Sequence, residues 1–108
     1  MKIIETDNAP KAIGTYSQAV KVNGFLFISG QIPLDPSTME LVEGIENQIN
    51  QVFENINQIL KADGMDFSNV VKLSVLLEDL SNFEKVNEIM ANIFSKPYPA
   101  RAAYEVSK

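Results

Sequence analysis

The sequence predicts an α+β fold, a mixed β-sheet with two α-helices packed on one face. Three observations carry that reading. Residues 45–60 repeat apolar side chains at helical period, residues 83–94 do so again, and strand-like stretches precede, separate and follow them. At 108 residues the chain has the length of one domain with a single core.

Ile3 and Ile4 open a short strand. Residues 8–14 read as a loop, because Pro10 and Gly14 interrupt ladders. Ser17–Val22 and Phe25–Ser29 flank Asn23-Gly24, a strong hairpin signal, since a type I′ turn needs positive φ at both central residues. Residues 30–36 contain Pro33 and Pro36 and cannot form a central strand. Met39–Val42 is expected to be a further short strand.

Ile45–Asp63 is predicted helical: Ile45, Ile49, Val52, Phe53, Ile56, Ile59 and Leu60 make one apolar stripe. Gly64 follows as its C-cap. Asn69–Glu78 alternates like a strand, with Val71, Leu73, Val75 and Leu77 on one face and Val70, Lys72, Ser74 and Leu76 on the other. Ser81-Asn82-Phe83-Glu84 has the form of a capping box and starts a second helix, to about Ser95. Phe83, Val86, Ile89, Met90, Ile93 and Phe94 form its apolar stripe. Arg101–Val106 is the last expected strand. Both helices are expected to cover one side of the sheet. The other side, with Val70, Leu76 and Ala103 assigned to it, then stays bare and predicts a subunit interface.

Composition removes several chemistries. The chain has no cysteine and so offers no disulfide, thiol nucleophile or thiolate metal site. It has no histidine, the usual base near neutral pH and the commonest metal ligand. Ser and Thr therefore lack the standard activating base. A Ser-Lys pair using Lys72 with Ser29 or Ser74 remains open. A net charge of −5 disfavours binding to a phosphate backbone. No run of residues approaches a membrane span, and MKIIETDNAP lacks the apolar core of a signal peptide. A cytoplasmic protein handling small molecules fits these exclusions.

The most informative residue is Arg101, which follows Pro97-Tyr98-Pro99 and opens a strand. An arginine keeps its proton, so it is a poor acid or base, but its fork of donors matches a carboxylate. Held this way it can clamp a small acid, although this segment alone favours the plainer reading of a solvated residue at a strand start. Tyr16-Ser17 after Gly14, and Ser29-Gly30-Gln31 at a strand end, place polar groups beside glycine. They can line a pocket or be ordinary turns.

Four segments occur in order: AIGTYSQAV (12–20), FISGQIP (27–33), VVKLSVLLEDLSNFEKVNEIM (70–90) and YPARAAYEV (98–106). As a set they resemble the RidA family, also called YjgF/YER057c/UK114, over essentially the whole chain. The resemblance implies a chorismate-mutase-like domain spanning residues 1–108, with a six-stranded mixed sheet and two helices on one face. It implies a homotrimer with a small-acid site in each subunit cleft, no cofactor and no metal. The implied activity is that of a 2-iminobutanoate/2-iminopropanoate deaminase. Such a hydrolase converts the enamines and imines released by pyridoxal-phosphate-dependent dehydratases into 2-oxo acids and ammonium. Two alternatives stand beside it: a non-catalytic trimer binding or sensing a small carboxylate, and an endoribonuclease or translation inhibitor.

Carried over residue by residue, Arg101 matches the arginine that clamps the substrate carboxylate. Tyr16 matches the pocket aromatic, and Ser29, with Gly30 beside it, matches the pocket serine of the SGQIP segment. Ala103 stands where some members have cysteine, and Thr15 where many have proline. The resemblance also implies a further turn and a final apolar strand, carrying a glutamate that positions water. These are not among the 108 residues, so the expectation is a chain truncated relative to the family.

Overall fold

In a computed structural model all residues from 1 to 108 are described, and they form two compact units, residues 1–65 and 66–108. The first contains β1 (Lys2–Ile4), β2 (Ala19–Val22), β3 (Phe25–Ile28) and α1 (Ile45–Ala62). The strands pair antiparallel in the order β1-β2-β3. Asn23 (φ 51°) and Gly24 (φ 81°) make the positive-φ turn that the sequence predicts, closing Val22 onto Phe25.

This register decides the two faces of the ladder. Ile4 and Ala19 are buried with Ala9 and Ile59, and Leu26 and Ile28 pack against them. On the opposite face Ile3, Val20 and Phe27 lie side by side, and Val22 lies beside Phe25. Phe25 and Phe27 are 61% and 60% exposed, with ring centroids 6.4 Å apart.

Two buried amides fasten loops to this frame. Gln18 Nε2 donates to the carbonyls of Thr6, Ala9 and Pro10, and its Oε1 accepts from Thr6 N–H at 2.8 Å. Asn55 Nδ2 donates to the carbonyls of Ile32 and Leu34, while its Oδ1 accepts from Gln51 Nε2. All polar groups of both amides are thereby used, which is what burial requires.

The expected strand at Met39–Val42 does not form. One bridge, Leu34 to Leu41, is all that remains of it. Asp35 N–H donates to Glu40 C=O, Met39 N–H donates to Asp35 C=O, and Met39 sits at φ 60°. A turn that tight leaves no room for a ladder.

Helix α1 buries Ile49, Phe53, Ile59 and Leu60 from the predicted stripe. Glu46 lies in its first turn and Lys61 in its last, each favourable to the helix dipole. Gly64, at φ 70°, donates to Lys61 C=O, and Met65 N–H donates to Leu60 C=O. This is the Schellman pattern, and Gly64 takes the left-handed position expected of it. The side chain of Asp63, at the same helix end, is buried, and its Oδ2 has the Lys21 ammonium at 2.9 Å as partner.

The second unit contains β4 (Lys72–Leu77), α2 (Phe83–Ile93) and β5 (Ala100–Glu105), with short 3-10 turns at Phe67–Asn69 and Leu80–Asn82. Strands β4 and β5 are parallel, as a strand–helix–strand crossover allows. The chain thus carries antiparallel and parallel pairing in two ladders.

Two expectations need correction here. Ser81 does not cap α2: its N–H donates to Asp79 Oδ1, because a 3-10 turn precedes the helix, and Asn82 at the N-cap makes no side-chain bond. The capping box lies instead at Asp66 and Asn69. Ala103 does not share a face with Leu76: it pairs with Val75, while Leu76 pairs with Tyr104. Leu76 and Tyr104 make the exposed face, 62% and 57% exposed. Helix α2 buries Val86 and Met90 and stops at Ile93; Phe94 is already extended, and Pro97 follows shortly. Phe94 packs its ring edge-on to Phe67 at 5.3 Å.

Candidate functional site

Arg101 is the second residue of β5, opposite Leu73 in the parallel register. Its side chain runs to α2. Nη1 donates to Asn87 Oδ1 at 2.6 Å and reaches Met90 Sδ at 3.5 Å, and Cζ lies 4.5 Å from the centre of the Phe83 ring. Phe83, Asn87 and Met90 are spaced four and three residues apart, so they share one helix face. Asn87, Met90, Ala91, Tyr98, Pro99 and Arg101 line an open hollow of about 420 Å³.

No carboxylate of the chain pairs with Arg101, since the single ion pair is Lys21–Asp63. Its partners are an amide, a thioether and an aromatic face. They orient the guanidinium without neutralising it, so an exposed cation beside a hollow keeps its charge for a ligand. Loosely hydrated and forked, it suits a small carboxylate.

Tyr16, Ser29 and Gly30 belong to the first unit. Tyr16 is exposed, and its hydroxyl accepts from Ile13 N–H at 3.3 Å. Ser29 is half-buried; its hydroxyl donates to Ser17 C=O at 2.6 Å and its N–H to Gln18 C=O at 2.9 Å. Ser29 is thereby fixed to the backbone next to Tyr16. Gly30 is exposed, and a Cβ there would meet no atom of the chain within 4 Å. Lys72 and Ser74 lie on the exposed face of β4.

Asn87 has no part in the sequence reading, and Phe83 and Met90 enter it as core residues. The available signal was a polar residue one helical turn from two apolar ones, which becomes meaningful once β5 lies alongside.

The sequence matches the family described as Endoribonuclease L-PSP over residues 6–108. It is 53% identical to a RidA of the Antarctic bacterium Psychrobacter, whose crystal structure superposes with a TM-score of 0.95 over 99% of this chain and 87% of that one. The chain belongs to the RidA/YjgF family. Another RidA relative, the mouse protein named 2-iminobutanoate/2-iminopropanoate deaminase, is 51% identical over 98% of this chain and 79% of its own length. Escherichia coli TdcF, solved with bound serine, is 36% identical with a TM-score of 0.94, over 100% of this chain and 87% of that one. The α+β fold expected from the sequence is that of these RidA structures. No helix is long and apolar enough to cross a membrane.

Proposed function

We propose that this protein hydrolyses small 2-imino acids, 2-iminobutanoate and 2-iminopropanoate, to 2-oxo acids and ammonium. The observation that carries the reading is the unpaired guanidinium of Arg101, oriented by neutral partners beside an open hollow. The name of the mouse relative and the serine held by TdcF, itself a small carboxylic acid, support it.

The chemistry asks little of titratable groups. An iminium carbon is already electrophilic. Water adds to it, forming the C–O bond; a proton passes from that oxygen to nitrogen; the C–N bond then breaks and ammonium leaves as the carbonyl forms. An enamine enters after tautomerising to the imine. Arg101 holds the carboxylate; the roles proposed for Tyr16, Ser29 and Gly30, shaping a pocket or holding water, rest on the family resemblance alone. Fixing the acid relative to its attacking water contributes several kcal/mol, about what a well-oriented reaction gains. This accommodates a chain without histidine or cysteine. In the same reading the protein is a cytoplasmic homotrimer that acts on the products of pyridoxal-phosphate-dependent dehydratases.

The test generates 2-iminobutanoate with threonine dehydratase in the presence of semicarbazide and compares the protein with Arg101→Ala. The expected result is imine hydrolysis by the parent and its loss in a folded variant. Equal turnover by both would overturn the role of Arg101. Saturable binding of 2-oxobutanoate without turnover would select a carboxylate-binding protein instead. The family description names an endoribonuclease, yet 14 acidic residues against 9 basic ones give RNA little to bind.

A further inference from the structure

We propose that Phe83, Asn87 and Met90 form a socket that fixes the Arg101 guanidinium with its Nε–Nη2 edge open. Asn87 and Phe83 are then positioning residues for a small carboxylate held side-on. The inference deepens the reading of Arg101 as a carboxylate clamp and rests on it.

A guanidinium carries five N–H donors: one on Nε and two on each Nη. Both contacts made with acceptors of α2 fall on Nη1: Asn87 Oδ1 at 2.6 Å and Met90 Sδ at 3.5 Å. The Phe83 ring covers one flat side of the group, 4.5 Å from Cζ. Nε–H and the Nη2 hydrogens remain. The Nε–H and the nearer Nη2–H point the same way, which is the spacing a carboxylate accepts with both oxygens. The choice of amide has a physical reason. An aspartate at 87 would orient Nη1 equally well but would cancel the charge the ligand needs. An apolar residue would leave the group free to rotate.

The first test needs no turnover. In arginine-labelled protein without ligand, the two Nη1 protons of Arg101 are expected to give separate, slowly exchanging NMR signals, which merge in Asn87→Ala. Titration with 2-oxobutanoate is expected to move the Arg101 Nε–H signal downfield and to leave Nη1 nearly still. Asn87→Ala is expected to weaken 2-oxobutanoate binding roughly tenfold, the scale of one hydrogen bond to a charged group. In turnover it should raise KM by a similar factor and change kcat little. Phe83→Leu, which keeps the apolar bulk, should weaken binding about threefold. Asn87→Asp is the discriminating variant: the Nη1 signals stay separate, yet binding falls below that of Asn87→Ala.

Free rotation of Nη1 in the parent protein would overturn the socket whatever the turnover. So would binding by Asn87→Ala within twofold of the parent, a ligand shift on Nη1 rather than Nε, or no binding of 2-oxobutanoate by the parent. Separate Nη1 signals and tight binding without imine hydrolysis would uphold the socket while the hydrolytic reading alone failed.

Discussion

Asn55 donates from Nδ2 to the carbonyl of Leu34 at 3.0 Å from a side chain with no exposed surface. The same nitrogen reaches Ile32 C=O at 3.3 Å, so one amide on α1 holds the Gly30–Leu34 stretch that follows Ser29. Asn55→Ala leaves these carbonyls without that donor and opens a cavity where the fully buried amide sat. A loss of about 3 kcal/mol of stability is expected. Urea unfolding should show a lower midpoint at unchanged slope, and a midpoint equal to the parent's would show that water serves the carbonyls as well.

Arg101→Lys keeps the charge and discards the fork. A lysine ammonium cannot bond Asn87 and a carboxylate in the planar arrangement that Arg101 provides. Binding of 2-oxobutanoate is expected to fall about tenfold or more, approaching Arg101→Ala. Calorimetric titration decides this; parent-like affinity in the lysine variant would mean that charge alone recruits the acid.

The apolar face formed by Ile3, Val20, Val22, Phe25 and Phe27 is expected to lie at contacts between copies of the chain. If the proposed trimer forms through this face, Phe27→Glu should shift the molecular mass measured by light scattering from three chains toward one. A trimer that survives this substitution would place the contacts elsewhere, with the exposed Leu76 and Tyr104 the next surface to test.

Three carboxylates set an acid limit. Hydrogen bonds from the Ser37 hydroxyl and then its N–H hold Asp35 below its ordinary 3.8. The Ser68 hydroxyl and N–H do the same for Asp66, and the Ser81 N–H and then its hydroxyl for Asp79. A lowered folded pKa means stability that is fully present above the ordinary value and lost as pH falls through the folded one. These groups leave stability flat from neutral pH to about pH 5 and weaken it below roughly pH 4. Asp66→Asn should flatten part of that acid limb in thermal unfolding scans. An unchanged limb would assign it to other carboxylates.

By itself the sequence determined what depends on neighbours along the chain. The Asn23-Gly24 turn, the apolar stripe of α1 and the left-handed Gly64 follow from local φ preference and period, and all appear where the residues put them. The candidate Arg101 was legible too, because proline spacing and strand onset are local. Tertiary structure decided what depends on partners distant in sequence. Asp79 took the Ser81 N–H that a capping box would have used, and strand register moved Ala103 to the side of Val75. Asn87 gained its role only when β5 brought Arg101 to α2 across 14 residues. Periodicity says which side of a helix is apolar; it does not say which charged group the chain later lays against it.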